Sequence, residues 1–203
     1  MDKTSSSFSL RKGKMKETLT QCGFELFATY GFHAVTLDQV VEQAGVTKGS
    51  FYYYYQSKHE LILDTCLYYY GRWERFVQAV AQSGEDPRVR LRRVLLLSIE
   101  QALFDEKNRL FSTEITRLAL QDPDVHKSWS AFCSQIHLFY TQLIQKIAQR
   151  EKLPSVQAER NAHWIVAMLE GIKQGSPFYP AFYCQTHIGF IVETLMKMAL
   201  ASS

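Results

Sequence analysis

The recurrence of apolar residues every three or four positions constrains this chain more than any other feature. From Ser57 to about Ala81 the stripe Ile62, Cys66, Tyr69, Trp73, Phe76, Val80 steps by four and three, with Arg72, Glu74 and Arg75 off it. That is one face of a long helix. A second stripe, Val125, Trp129, Phe132, Ile136, Tyr140, Leu143, Ile147, predicts a helix of about 35 Å at ~1.5 Å per residue. Leu19, Cys22, Leu26, Phe27 and Tyr30 recur at the same spacing between about Leu10 and Tyr30, and Gly31 is placed to end that helix. Two more segments, roughly Ser155–Gln174 and Cys184–Ala201, are rich in apolar and small residues, with Gly189 allowing close approach. Breakers fall at Gly31, Gly45, Ser83–Pro87, Gln121–Asp124, Pro154 and Gly175–Pro180. No sustained strand alternation and no internal repeat appears, so the expected fold class is all-α.

The chain has 203 residues, 46% hydrophobic and 21% charged, enough for a substantial core. No apolar run approaches the roughly 20 residues of a membrane-spanning helix. The start, MDKTSSSFSLRKGKMK, is basic and polar without the apolar stretch of a secretory signal. A cytoplasmic protein is expected, with no membrane partner. Cys22, Cys66, Cys133 and Cys184 lie far apart in or beside apolar helical segments, which reads as buried free thiols in a reducing compartment. The net charge of +3 is too mild to name a partner. Its distribution is more telling, because Lys3, Arg11, Lys12, Lys14 and Lys16 form a basic arm with no acidic residue among them.

Three short helical signals follow one another between Thr36 and Leu61. Thr36 and Gln39 fit a capping box, after which Leu37, Val40, Val41 and Ala44 share one face and Gly45 can take the left-handed conformation that ends the helix. Thr47 is placed to cap the next helix, and Ser57 with Glu60 reads as a second capping box opening the long one. A helix, a tight glycine-containing turn and a second short helix make the helix-turn-helix pattern. At about 100° per residue, Tyr55 shares the inward face with Phe51. Gly49 and Tyr53 then lie opposite, flanked by Ser50 and Tyr52. An outward glycine costs about 1 kcal/mol of helix propensity relative to alanine, and close approach to a bulky partner would explain it. In such a motif the second helix enters the major groove of DNA while the first crosses the backbone. Lys48 can donate to guanine there, and Thr36, Thr47 and Lys58 stand at helix starts that favour phosphate.

The stretch TLDQVVEQAGVTKGSFYYYYQSKHEL resembles the DNA-binding signature of the tetracycline-repressor (TetR) family of bacterial regulators, at Thr36, Val40, Ala44, Gly45, Val46, Thr47, Gly49, Phe51, Tyr52, Ser57, Lys58 and Leu61. FATYGFHAVTL extends the resemblance to about residues 10–63, LFSTEITRLALQDP resembles a stretch of the family's second domain, and the last two helices resemble its dimerisation pair. The sequence departs from the family's usual residues at Val41, Tyr54 and Tyr55, where alanine, histidine and phenylalanine are commonest. The resemblance implies a flexible arm over residues 1–9, a helix-turn-helix domain over 10–63 and a helical ligand-binding and dimerisation domain over 64–203, with the long helix 57–81 bridging them. It implies a homodimer on a palindromic operator, formed through helices near 155–174 and 184–201, and release from DNA when an effector binds.

The DNA-binding candidates are therefore Thr36, Thr47, Lys48, Gly49, Ser50, Tyr52, Tyr53, Tyr54 and Lys58. The effector would be an apolar or aromatic small molecule among Cys66, Tyr69, Trp73, Phe104, Phe111, Phe132 and Ile136, with Glu114, Arg117 or His137 as polar partners. No catalytic residue, metal site or cofactor is expected, because the phosphate-binding, nucleophile-elbow and zinc-hydrolase motifs are missing and the histidines lack ligand spacing. A transcriptional activator, or a helical ligand-binding protein that does not use DNA, are the alternatives to a repressor.

Overall fold

The computed structural model describes residues 3–81, 84, 86–153 and 155–202, with side chains from residue 13 onward except that of residue 81. Among these are nine α-helices: α1 (Lys3–Ala34), α2 (Leu37–Gln43), α3 (Lys48–Tyr54), α4 (Lys58–Ala81), α5 (Pro87–Phe104), α6 (Glu106–Ala119), α7 (Pro123–Arg150), α8 (Ala158–Gly175) and α9 (Gln185–Ala199). Two short 3-10 turns lie between α8 and α9, and no strand occurs among the described residues beyond one isolated bridge, Val156 to Ser202. The all-α expectation holds. No helix of the described residues is long and apolar enough to cross a membrane. The side chains of Lys3, Arg11 and Lys12 in the basic arm lie outside the described residues, as do Ser83, Glu85 and Pro154 among the expected breakers.

The chain divides into two compact units, one of Met1–Arg72 with Leu110–His126 and the other of Trp73–Arg109 with Lys127–Ser203. In the first, Leu19, Phe24, Phe27, Phe32, Val40, Phe51, Leu61, Phe111 and Ile115 are buried together. Phe111 sits 4.7 Å from the Phe24 ring and 5.5 Å from that of Phe32, in the tilted and edge-on geometries that aromatic pairs favour. In the second unit, Leu91, Leu95 and Ile99 of α5, Tyr140, Leu143, Ile144 and Ile147 of α7, Ile165 of α8 and Leu195 of α9 form one cluster. The stripes read from the sequence are the buried faces of α4 and α7.

Gly31 ends the regular part of α1. Its φ of 79° and ψ of 160° lie in a region open essentially to glycine alone. The chain there is held from two sides. The Phe32 amide donates to Glu114 Oε2 at 3.0 Å, and Lys58 Nζ donates to the carbonyls of Phe32 and Val35, both at 2.9 Å. A broken helix end leaves carbonyls without partners, and here a cation supplies the donors.

Candidate nucleic-acid interface

The α2–α3 segment is built by its caps. Thr36 Oγ1 accepts from the Gln39 amide at 3.3 Å while Gln39 Oε1 accepts from the Thr36 amide at 2.7 Å, the reciprocal capping box expected from the sequence. Gly45, at φ 66°, turns the chain out of α2, and Thr47 Oγ1 accepts from the Ser50 amide at 3.1 Å to open α3. Only half of the second expected box forms. Ser57 Oγ accepts from the Glu60 amide at 3.2 Å, but the Glu60 carboxylate reaches one residue further back, to the Gln56 amide at 2.7 Å. Tyr55 has left the helix at φ −137°, which puts the Gln56 amide rather than that of Ser57 within reach.

The four consecutive tyrosines divide as their angles require. Tyr55 is 1% exposed with its ring 5.5 Å from buried Phe51, Tyr52 and Tyr53 are 56% and 57% exposed, and Tyr54 is half-buried with its ring edge-on to Tyr53 at 4.9 Å. The Tyr55 hydroxyl lies 2.7 Å from Thr20 Oγ1 and donates to Asp64 Oδ2 at 3.1 Å, while Thr20 Oγ1 donates to the Lys16 carbonyl at 2.9 Å. Two hydroxyl protons serve three contacts, so one is shared. Burial pushes the phenol pKa well above its ordinary value. Gly49 is exposed, and a Cβ there would meet nothing closer than Thr47 Oγ1 at 3.8 Å. Nothing among the described residues calls for glycine at that position, which leaves the outer side of α3 to account for it.

Of the remaining candidates, Thr36 and Thr47 are exposed caps, Ser50 is half-buried, and Lys48 Nζ reaches back to Asp38 Oδ1 of α2 at 2.6 Å. The hydrogen bond and charge of Asp38 raise the Lys48 pKa. Lys58 is turned inward to the carbonyls of Phe32 and Val35. The sequence held no sign of Asp38, whose part depends on the angle between two helices.

The residues proposed for an effector divide between the units. Cys66, Tyr69 and Phe111 lie buried in the first, Tyr69 with its ring 5.5 Å from Phe111, and burial pushes the Cys66 thiol up to about 12. In the second, the Trp73 ring is edge-on to Phe132 at 5.6 Å, Ile136 packs against the core, and Phe104 is exposed. Phe104 lines an open groove of about 660 Å³ with Phe76, Leu97, Glu100, Gln101 and the start of α6. Of the three polar partners, Glu114 pairs with Arg117 at 2.8 Å as well as holding Phe32, and His137 Nε2 donates to the Glu159 carbonyl at 3.1 Å. Partial burial opposes ionisation of Glu114, but its hydrogen bonds from Arg117 and Phe32 outweigh that and lower its pKa.

Two features depart from the sequence reading. Cys184 is exposed at the start of α9, where the Thr186 hydroxyl at 2.9 Å, then the Thr186 and His187 amides, lower its thiol pKa. Cys66 is buried and Cys22 and Cys133 half-buried, so the expectation of buried thiols fails at Cys184, which stands just ahead of the first turn of α9 instead of lying on its apolar face. His59, Asp122 and Asp124 bring three possible metal donors within 4.8 Å. Asp122 is already spent there: Oδ1 accepts from the Asp124 and Val125 amides, both at 3.0 Å, and Oδ2 meets His59 at 2.8 Å.

Residues 20–65 match the family model described as bacterial regulatory proteins, tetR family. The whole fold resembles that of a TetR transcription regulator from Haloarcula marismortui, with a TM-score of 0.77 and 15% identity over 94% of this chain and 98% of that one. Over residues 20–65 this chain is similar to the TetR family. Among relatives, YerO, an HTH-type transcriptional regulator of Bacillus subtilis, is 39% identical over 56 residues, which span 28% of this chain and only 19% of YerO. YxaF of the same organism is 21% identical over 161 residues, 79% of this chain and 83% of YxaF. The family and these relatives are transcriptional regulators, not enzymes. Both α2 and α3 lie within the segment that this family model matches.

Proposed function

We propose that this chain is a repressor that binds a palindromic operator as a homodimer in the cytoplasm and leaves it when an effector binds. The exposed side of α3 carries the reading, with Gly49 uncrowded and Tyr53 one turn beyond it. Lys48, Ser50 and Tyr53 face base edges, while Thr36, Thr47, Tyr52 and Tyr54 lie along the phosphates. Trp164 of α8 and Phe190 of α9 are 60% and 69% exposed. Large aromatic rings left in water on the two expected dimer helices support pairing with a second copy. The groove beside Phe76 and Phe104, about 660 Å³, is of the size that takes a small molecule, and its aromatic walls suit an apolar or planar effector. An effector that binds one dimer arrangement better than the other shifts the population between them.

The test is a gel shift with DNA from upstream of the protein's own coding region, at two salt concentrations with nonspecific competitor. A retarded band that weakens as salt rises is expected, because phosphate contacts release counterions. Lys48→Ala and Tyr53→Ala should weaken the band while remaining dimeric by light scattering. No band with the wild type, or undiminished bands with both variants, refutes the assignment of α3.

A further inference from the structure

The salt bridge from Lys48 to Asp38 joins the first residue of α3 to the first turn of α2, Nζ to Oδ1 at 2.6 Å, with both side chains more than half exposed. A carboxylate on a surface that meets phosphates is unfavourable by charge alone. As a staple between two helices an exposed pair adds little, typically under about 1 kcal/mol. Base-edge chemistry supplies a better reason for it. In the major groove a C·G pair shows the cytosine N4 amine beside the guanine O6 carbonyl, with guanine N7 next to O6. The amine and carbonyl are joined by an N–H···O bond of about 2.9 Å, close to the separation of the Lys48 and Asp38 atoms. An ionised carboxylate has acceptor sites left after one bond, and an ammonium has two donors left.

We infer that Asp38 and Lys48 act as one reading unit for a single C·G base pair, Asp38 accepting from cytosine N4 while Lys48 donates to guanine O6 and N7. The salt bridge need not break on binding, since each partner uses sites the other leaves free. An A·T pair also offers an amine beside a carbonyl. There, however, adenine N7 would turn an acceptor towards the carboxylate, and the thymine methyl would face the ammonium. The unit therefore prefers cytosine on the Asp38 side. Asp38 becomes a specificity residue rather than a source of affinity. This inference rests on the DNA-binding reading of α3 above.

The experiment is in vitro selection from a randomised duplex library with full-length wild type, Asp38→Asn and Lys48→Met, followed by affinities for the enriched site and for its C·G to T·A replacement. The wild type should enrich a motif with a C·G pair fixed at one position of each half-site. The replacement should weaken its binding by roughly 5-fold to 100-fold, the range for loss of a good base contact. Both variants should relax that same position and leave the others unchanged. An Asp38→Asn motif identical to the wild type's, with only a small fall in melting temperature, makes the pair a staple and overturns the inference. So does relaxation at different positions by the two variants. A wild type that enriches a motif keeps the DNA-binding reading whatever Asp38→Asn does, whereas one that enriches nothing overturns both.

Discussion

Replacing Lys58 by Met separates two roles that its position suggests. At the start of α4 the lysine could neutralise a phosphate, but its ammonium donates instead to the Phe32 and Val35 carbonyls, both at 2.9 Å. A hydrogen bond involving a charged group contributes about 1.5–3 kcal/mol, less where water can take its place. These two are partly buried, so methionine, of similar length and without donors, should cost about 2 kcal/mol in total. For a chain of this size, where about 1 kcal/mol moves the melting temperature by roughly 2–4 °C, the fall should be about 4–8 °C. Urea unfolding followed by circular dichroism should show a lower midpoint at an unchanged slope. Gel shifts at several salt concentrations complete the assay. If Lys58 acts as an internal cap, the dependence of log affinity on log salt stays as in the wild type. If it binds a phosphate, that slope flattens by about 0.9. A melting temperature within about 1 °C of wild type together with a flattened slope refutes the capping role.

Tyr55→Phe removes the hydroxyl between Thr20 and Asp64 without opening a cavity, and should destabilise by about 1–2 kcal/mol in urea unfolding while operator affinity stays unchanged. Gly31→Ala places a Cβ 2.8 Å from Glu114 Oε2 on a backbone at φ 79°. A loss of about 2–3 kcal/mol by thermal unfolding is expected, from strain in a glycine-only region together with displacement of the Glu114 contact. The folded-state pKa of Glu114 is lowered, so its contribution is fully present above the ordinary carboxylate pKa and is lost as pH falls through the lower folded value. Glu114→Gln should therefore be less stable than wild type near pH 7, with the gap closing below about pH 4.5 in a pH series of urea midpoints.

Much of this molecule is legible one helix at a time. The apolar stripes of α4 and α7 follow from spacing alone, as do the caps at Thr36 and Thr47 and the inward turn of Phe51 and Tyr55. Each is a local property, decided by residues within one or two turns of each other. What stayed hidden depends on meetings between distant segments. Lys58 reads as a phosphate ligand because the sequence around it shows a helix start, whereas its partners lie 26 and 23 residues upstream. Gly31 gave a partial signal, since a helix stopped there must leave carbonyls in need of donors. It could not say which cation supplies them. Cys184 looks apolar by its neighbours Ile188 and Phe182, yet it sits ahead of the first turn of α9, where helical periodicity no longer assigns a face.

Asp38 combines both conditions. Its place in the first turn of an acid-tolerant helix start gives it a sufficient local explanation, so nothing in the sequence asks for a second. Only the turn through Gly45 and Val46 brings Lys48, ten positions on, to within 2.6 Å of it. The same turn also sets which side of α3 is free, which is why the residue that completes the proposed base-reading unit comes from α2 and not from α3 itself. A search for specificity residues confined to α3 would miss it. Substitutions at Asp38 should therefore change which operators are bound more than how tightly, the reverse of what is expected for Tyr52, an exposed ring proposed to lie along the phosphates.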